Sequence, residues 1–188
     1  DASGTGAITF TAAPTVAANA KTLALTGTNT GLNTISGAIP NPTGNLAVVK
    51  DGPGTWLLSG ASGYAGGLTV KQGMPGPSLT TDTNNGGFLG KPNGVTTSIG
   101  DSSATASGTA ALLLRQNSLS NQPLSAATLT GTANQRVFLG GYDTSGTASF
   151  SNTITLNRDV TLVASGTGVN AGTVLFANNW LAGAGVSP

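Results

Sequence analysis

The stretch KDGPGTWLLSGASGYAGGLTVKQG, Lys50–Gly73, decides the reading of this chain: two short β-type runs, Trp56–Leu58 and Leu68–Val70, flank a glycine-rich loop that holds no catalytic side chain. Working outward, apolar clusters of strand length recur at Ile8–Phe10, Leu23–Leu25, Leu46–Val49, Leu112–Leu114, Val137–Leu139, Ile154–Leu156, Val160–Val163 and Val174–Phe176. Between them lie Gly, Asn, Pro, Ser and Asp, which supply positive φ or side-chain-bonded turns. No amphipathic helix of ten residues can be written, and the nearest candidate, Ala110–Asn117, is short and ends in turn formers. Short strands joined by tight turns, without helices, read as one repetitive all-β domain over residues 1–188.

Composition leads to the same class. Only 7% of the 188 residues are charged, against roughly 25% in an average soluble domain. The apolar fraction is 38% and falls in bounded runs, which speaks for a packed core and against disorder. A net charge of +1 gives no basic patch to attract nucleic acid or an anionic membrane. The apolar runs fall far short of the roughly twenty residues that span a bilayer, so no membrane insertion is expected. A start at Asp1 without methionine points to a processed or excised product, a subunit or a fragment of a longer rod. With no cysteine, disulfides and thiolate metal sites are absent.

Lys50–Gly73 closely resembles the autotransporter-associated β-strand repeat of large secreted bacterial proteins, whose pattern is K-x-G-x-G-T-L-x-L-S-G-x-N-x-Y-x-G-G-T-x-V-x-x-G. Lys50, Gly52, Gly54, Thr55, Leu58, Ser59, Gly60, Tyr64, Gly66, Gly67, Val70 and Gly73 fall on it. Thr22–Ile39 resembles the segment that precedes the motif, and Phe150–Leu162 with Gly172–Phe176 resembles the paired strands between its copies. The resemblance implies a right-handed parallel β-helix, a β-solenoid, exported to the cell surface or beyond. It implies no activity, because the repeat usually builds a stalk. With coils of 20 to 25 residues, eight or nine coils are expected, forming a rod on the order of 40 Å long. Residues 74–93, with three prolines and Gly86-Gly87, are expected to leave the body as a protruding loop.

The chemical inventory is poor. Six Asp, four Lys, three Arg and two Tyr stand without Glu, His or Cys, whereas general acid-base work near neutral pH usually needs His or paired carboxylates. Asp82 and Asp101, about one coil apart, are the best pair for an alternative reading as a polysaccharide lyase or hydrolase. Both also sit in ordinary turn sequences, and Asp51, Asp143 and Asp159 each have a local turn or ion-pair role at hand. The calcium loop and the phosphate loop are both missing. No catalytic, cofactor-binding or metal-ligating residue is therefore assigned.

Lys50, Lys71 and Lys91, spaced 21 and 20 positions apart, could form a column that binds an acidic glycan, as in an adhesin passenger, or be solvated lysines at unrelated corners. Tyr64 and Tyr142 are the accompanying candidates for stacking on sugars. Trp56 shares a strand face with Leu58 and is assigned to the core.

Departures from the family pattern point to assembly. Leu57 and Val49 stand where the pattern commonly has Thr, and alternation turns both outward, as it does Leu113. Outward apolar groups imply contact with another copy or a covering loop, with 74–93 the nearest candidate. Trp180, in the uncapped tail Asn178–Pro188, joins Val49, Leu57 and Leu113 as an assembly candidate. Neither end carries a capping helix or a charged edge, so terminal coils would template further strands. The sequence reading is thus an extracellular structural protein, either a fibre subunit stacking end to end on its own copies or a segment of a surface stalk.

Overall fold

In the run Leu46–Lys50, Leu46, Val48 and Lys50 are buried while Ala47 and Val49 are half-buried. This period of two is the mark of a strand with one face on a core. Leu68–Val70, Thr97–Ile99 and Leu124–Ala126 repeat it, so successive coils lay the same parity on the inside.

A computed structural model of the chain describes residues 1–77, 89–90, 95–104, 106–115, 119–120, 122–128, 134–142, 146–165, 172–177 and 179–183, the side chains of 74–77, 119–120, 142 and 165 excepted. The strands, in chain order, are β1 (Thr9–Phe10), β2 (Lys21–Leu25), β3 (Asn33–Ile35), β4 (Leu46–Lys50), β5 (Thr55–Leu58) and β6 (Leu68–Val70). There follow β7 (Met74–Pro77), β8 (Thr97–Ile99), β9 (Thr109–Leu114), β10 (Leu119–Ser120), β11 (Leu124–Ala126) and β12 (Arg136–Tyr142). The last are β13 (Thr147–Phe150), β14 (Ile154–Leu156), β15 (Val160–Ser165), β16 (Thr173–Phe176) and β17 (Trp180–Ala182). No helix occurs among the described residues.

Each strand pairs in parallel with the strand one coil away. The longest face stacks β2, β4, β6, β8, β11, β14 and β17, the second carries β1-β3-β5-β7 and then β9-β12-β15, and the third carries β10-β13-β16. The parallel bridge of Gly73 to Ala110 joins the two parts of the second face. The fold is a β-solenoid, as expected. Its coils vary in length along the axis, from 20 residues between Val48 and Leu68 to 30 between Leu124 and Ile154. Longer coils use up the chain in fewer turns, so the longest face has seven rungs in place of the eight or nine coils expected.

The lumen is filled by columns of inward side chains, with Val48, Leu68, Val70, Ile99, Leu124 and Ile154 all buried along the longest face. Facing them are Ile35, Trp56, Leu58, Leu112 and Leu139. Met74–Pro77, expected as the start of a protruding loop, pairs instead with β5 as a strand. Leu89 is buried in the core, with Gly90 beside Tyr64. The remainder of the expected loop, with Asp82 and Lys91, lies outside the described residues.

Candidate functional site

The corner that follows the longest face is polar, in contrast to the apolar columns beside it. Lys50 ends β4 at inward parity and is fully buried. Its Nζ donates to the carbonyls of Asp51 at 3.1 Å, Gly52 at 2.6 Å and Gln72 at 3.0 Å. Three donors thus meet three acceptors, and this offsets part of the cost of burying the charge. Burial lowers the ammonium to about 8, while the neighbouring Asp51 carboxylate acts the other way.

Farther along the same corner, the buried Gln135 side chain ties its own coil to three others. Its amide donates to the Lys71 carbonyl at 2.6 Å, and its oxygen accepts from the Asp101 amide at 2.7 Å and from Arg158 Nη1 at 3.1 Å. Asp101 accepts from the amide and hydroxyl of Ser103, both at 3.0 Å, and these bonds hold its carboxyl below the usual range, with Lys71 and Arg158 adding to the effect. Arg158 is buried, and its Nε and Nη2 have no partner among the described residues. Burial lowers its guanidinium, opposed by Asp101. A small polar recess of about 160 Å³ opens here, lined by Asp51, Gln72, Asp101, Ser103 and Gln135 among others.

A second polar rung crosses the lumen near the first coils. Asn33 is fully buried between the columns. Its amide nitrogen donates to the carbonyls of Thr55 at 2.8 Å, Gly31 at 3.2 Å and Asn29 at 3.3 Å, and its oxygen accepts the Ile8 amide at 3.0 Å. One side chain therefore stitches three successive coils, with both its amide nitrogen and its oxygen engaged.

The two ends are apolar and open. At the first coil a cavity of about 450 Å³ is lined by Phe10, Leu23, Leu25, Ile35 and Trp56, with Asp1 at its margin. Phe10 is 51% exposed and stacks on Trp56 at 6.4 Å. At the last coil, Leu162 is 51% exposed although it pairs with the buried Leu139 and shares its inward parity. Trp180 is likewise the inward partner of buried Ile154, yet 37% exposed, with its ring 5.2 Å from Phe176. These side chains are uncovered because, among the described residues, no further rung lies over them.

The residues singled out from sequence separate into groups. Val49 is half-buried on the outer side of β4, and Trp180 is exposed at the open end. Leu57 and Leu113 have outward parity and are already buried within the chain, as the covering-segment alternative describes. Thr55–Leu58 and Thr109–Leu114 are near-continuous apolar runs, the pattern of strands covered on both faces.

The lysine column is also corrected. Lys50 pairs with Val70, so Lys71 falls one residue past the register and its side chain takes the opposite face. Lys71 is half-buried and Lys50 is sealed in the lumen. Tyr64 is buried in the core, where desolvation pushes its phenol well above the usual value, so its ring offers no face to a sugar. Lys91 and the Tyr142 side chain lie outside the described residues. Trp56 is buried as assigned, its Nε1 donating to the Thr26 carbonyl at 3.2 Å. Sequence reasoning missed Asn33, Gln135 and Arg158. For Asn33 a signal existed, since it shares inward parity with Ile35 two residues on.

Comparison with known proteins agrees with this geometry. Over 79 residues, 39% of this chain, the sequence is 39% identical to a protein described as adhesin BmaC autotransporter, from Brucella suis biovar 1 (strain 1330). The match spans 2% of that protein's length. No solved structure matches the chain. Residues 48–74 match the family model described as the passenger-associated-transport-repeat, so the resemblance carried by Lys50–Gly73 is one to a repeat of autotransporter passengers, set in a β-solenoid.

Proposed function

We propose that this chain is a structural element of an extracellular or cell-surface passenger, a solenoid whose coils continue, rung on rung, into further solenoid at its ends. The observation that carries the reading is the pair of open ends. Leu162 and Trp180 have core parity and no cover among the described residues at one end, and a 450 Å³ apolar cavity stands open at the other. Uncapped solenoid coils present unpaired backbone donors and acceptors that accept another strand. The repeat at residues 48–74 and the autotransporter relative support a surface passenger. The motif's lysine and glycines are occupied in building the corner, which supports a structural and non-catalytic role.

Electron microscopy of the purified chain at neutral pH and moderate salt tests this. Stacked copies are expected to give filaments with an axial repeat of roughly 34 Å, seven rungs at about 4.8 Å each. Isolated short rods at every concentration would overturn stacking between copies.

An adhesin role draws support from the autotransporter relative alone, a protein described as an adhesin. Lys71 is the one glycan candidate with a described, partly exposed side chain. Binding of acidic glycans that disappears in Lys71→Ala would favour that second reading, and binding unchanged in the variant would remove it.

A further inference from the structure

The two open ends belong to the same sheets. On the longest face the free edges are β2 and β17, and on the second face they are β1 and β15. All pairings are parallel, so the last coil of one copy can meet the first coil of another with unchanged strand direction, in a heterologous contact that repeats without closing.

From this we infer a specific register, which rests on the stacking reading above: β17 of one copy pairs with β2 of the next, Trp180 opposite Leu23 and Leu181 opposite Ala24. The partner is a second copy of this chain. The register follows from the columns already present. The outward column runs Ala24, Val49, Thr69, Ser98, Ser125, Thr155 and Leu181 without a break. The inward column one residue earlier includes Leu23, Val48 and Leu68 at one end and Thr97, Leu124, Ile154 and Trp180 at the other. Continuing both by one rung sets Leu23 of the next copy on Trp180, and Ala24 on Leu181.

Size and chemistry fit that register. Leu23 lines the 450 Å³ cavity, with Leu25, Phe10, Ile35 and Trp56 around it. An indole arriving over Leu23 enters an apolar, aromatic-lined space. Leu181, 50% exposed on the outer side, meets a small residue. A slip by one residue would send Trp180 to the outer face and Leu181 into the lumen. A slip by two would set Trp180 on Lys21 or Leu25, and Leu25 is already buried.

The chain has no cysteine, so the register can be read by disulfide trapping. Directly opposed residues on parallel neighbours lie about 4.8 Å apart, within disulfide reach, whereas a two-residue offset places them beyond it. Ala24 and Leu181 are both exposed, so Ala24→Cys with Leu181→Cys leaves the lumen intact, as far-UV circular dichroism would verify. Under mild oxidation this double variant is expected to give a ladder of dimers, trimers and higher species. Each single variant and the pair Thr22→Cys with Leu181→Cys should stay at least tenfold less cross-linked. Adding Trp180→Ser to the in-register pair should reduce the ladder by a similar factor.

A ladder from the Thr22 pair in place of the Ala24 pair would overturn the register and leave stacking standing. Efficient dimers from Leu181→Cys alone would overturn it in favour of a closed tail-to-tail contact. Monomers throughout, with no filaments from the unmodified chain, would overturn both readings and leave the open ends to further coils of a longer polypeptide.

Discussion

Lys50 and Gln72 are joined across two coils by a 3.0 Å hydrogen bond from a buried ammonium to a main-chain carbonyl, made at the corner that follows the longest face. The same nitrogen holds Asp51 and Gly52, so one side chain satisfies three carbonyls that turn away from the ladder. A lysine is therefore part of the corner's backbone accounting, as a strand neighbour would be elsewhere.

Lys50→Met should lower stability by about 3 kcal/mol. The methionine keeps the volume and removes a buried charge, yet it leaves carbonyls without donors, each at about 1–3 kcal/mol before relaxation or hydration. A drop in urea midpoint without change in slope would match this account. An unchanged midpoint would mean that water replaces the ammonium at no cost.

The pH dependence has a definite sign. Burial holds Lys50 at about 8 in the folded chain against an ordinary 10.5. Between those values the unfolded chain keeps a proton that the folded chain has released, so this residue's contribution to stability rises with pH across that window. Tyr64 opposes it at higher pH, because a phenol raised in the folded state loses stability once the unfolded phenol ionises, above about 10. Stability of the wild type relative to Lys50→Met should increase from pH 8 to pH 10, as measured by urea unfolding at each pH. A falling difference would place the folded ammonium above its ordinary value.

Gly73→Ala should destabilise through the same nitrogen. Gly73 has φ +81°, and a Cβ there would stand 2.6 Å from Lys50 Nζ and crowd the carbonyls of Gly52 and Gly54. Strain of at least 1 kcal/mol from φ alone adds to displacement of the ammonium. The measurement is thermal unfolding of Gly73→Ala, Lys50→Met and the double variant. Strong non-additivity is expected, because both changes damage one contact.

Much of this corner was legible and one step was not. Alternation in LAVVK puts Lys50 on the side of Leu46 and Val48, so its inward parity could be read directly. Its charge argues the other way, since a lone buried ammonium costs far more than a strand position can return. The three carbonyls that change the balance come from the turn and from the next coil, and no local pattern announces them. Gln135 is harder still, for it reaches the Lys71 carbonyl 64 positions away and that distance depends on coils of unequal length. Leu57 shows a different limit: alternation gives the side of a strand a residue takes and is silent on whether that side is covered by the chain itself or by another copy. The flanking Trp56 and Leu58, also apolar, were the available sign that both sides are.

Arg158 tests the opposite energetic case. Its Nη1 bond to Gln135 is one satisfied donor on a buried cation, while Nε and Nη2 have none among the described residues. Buried donors without partners cost about 1–3 kcal/mol each, and isosteric apolar replacement of a buried charge is often neutral or stabilising. Removing the guanidinium leaves the Gln135 oxygen still accepting from the Asp101 amide, so no new orphan is created there. Arg158→Met should therefore keep or raise the melting temperature, in contrast to Lys50→Met at the same corner. Thermal unfolding at neutral pH decides it, and a loss as large as that of Lys50→Met would show the guanidinium to be fully satisfied in solution, with water or a small anion on its free edge.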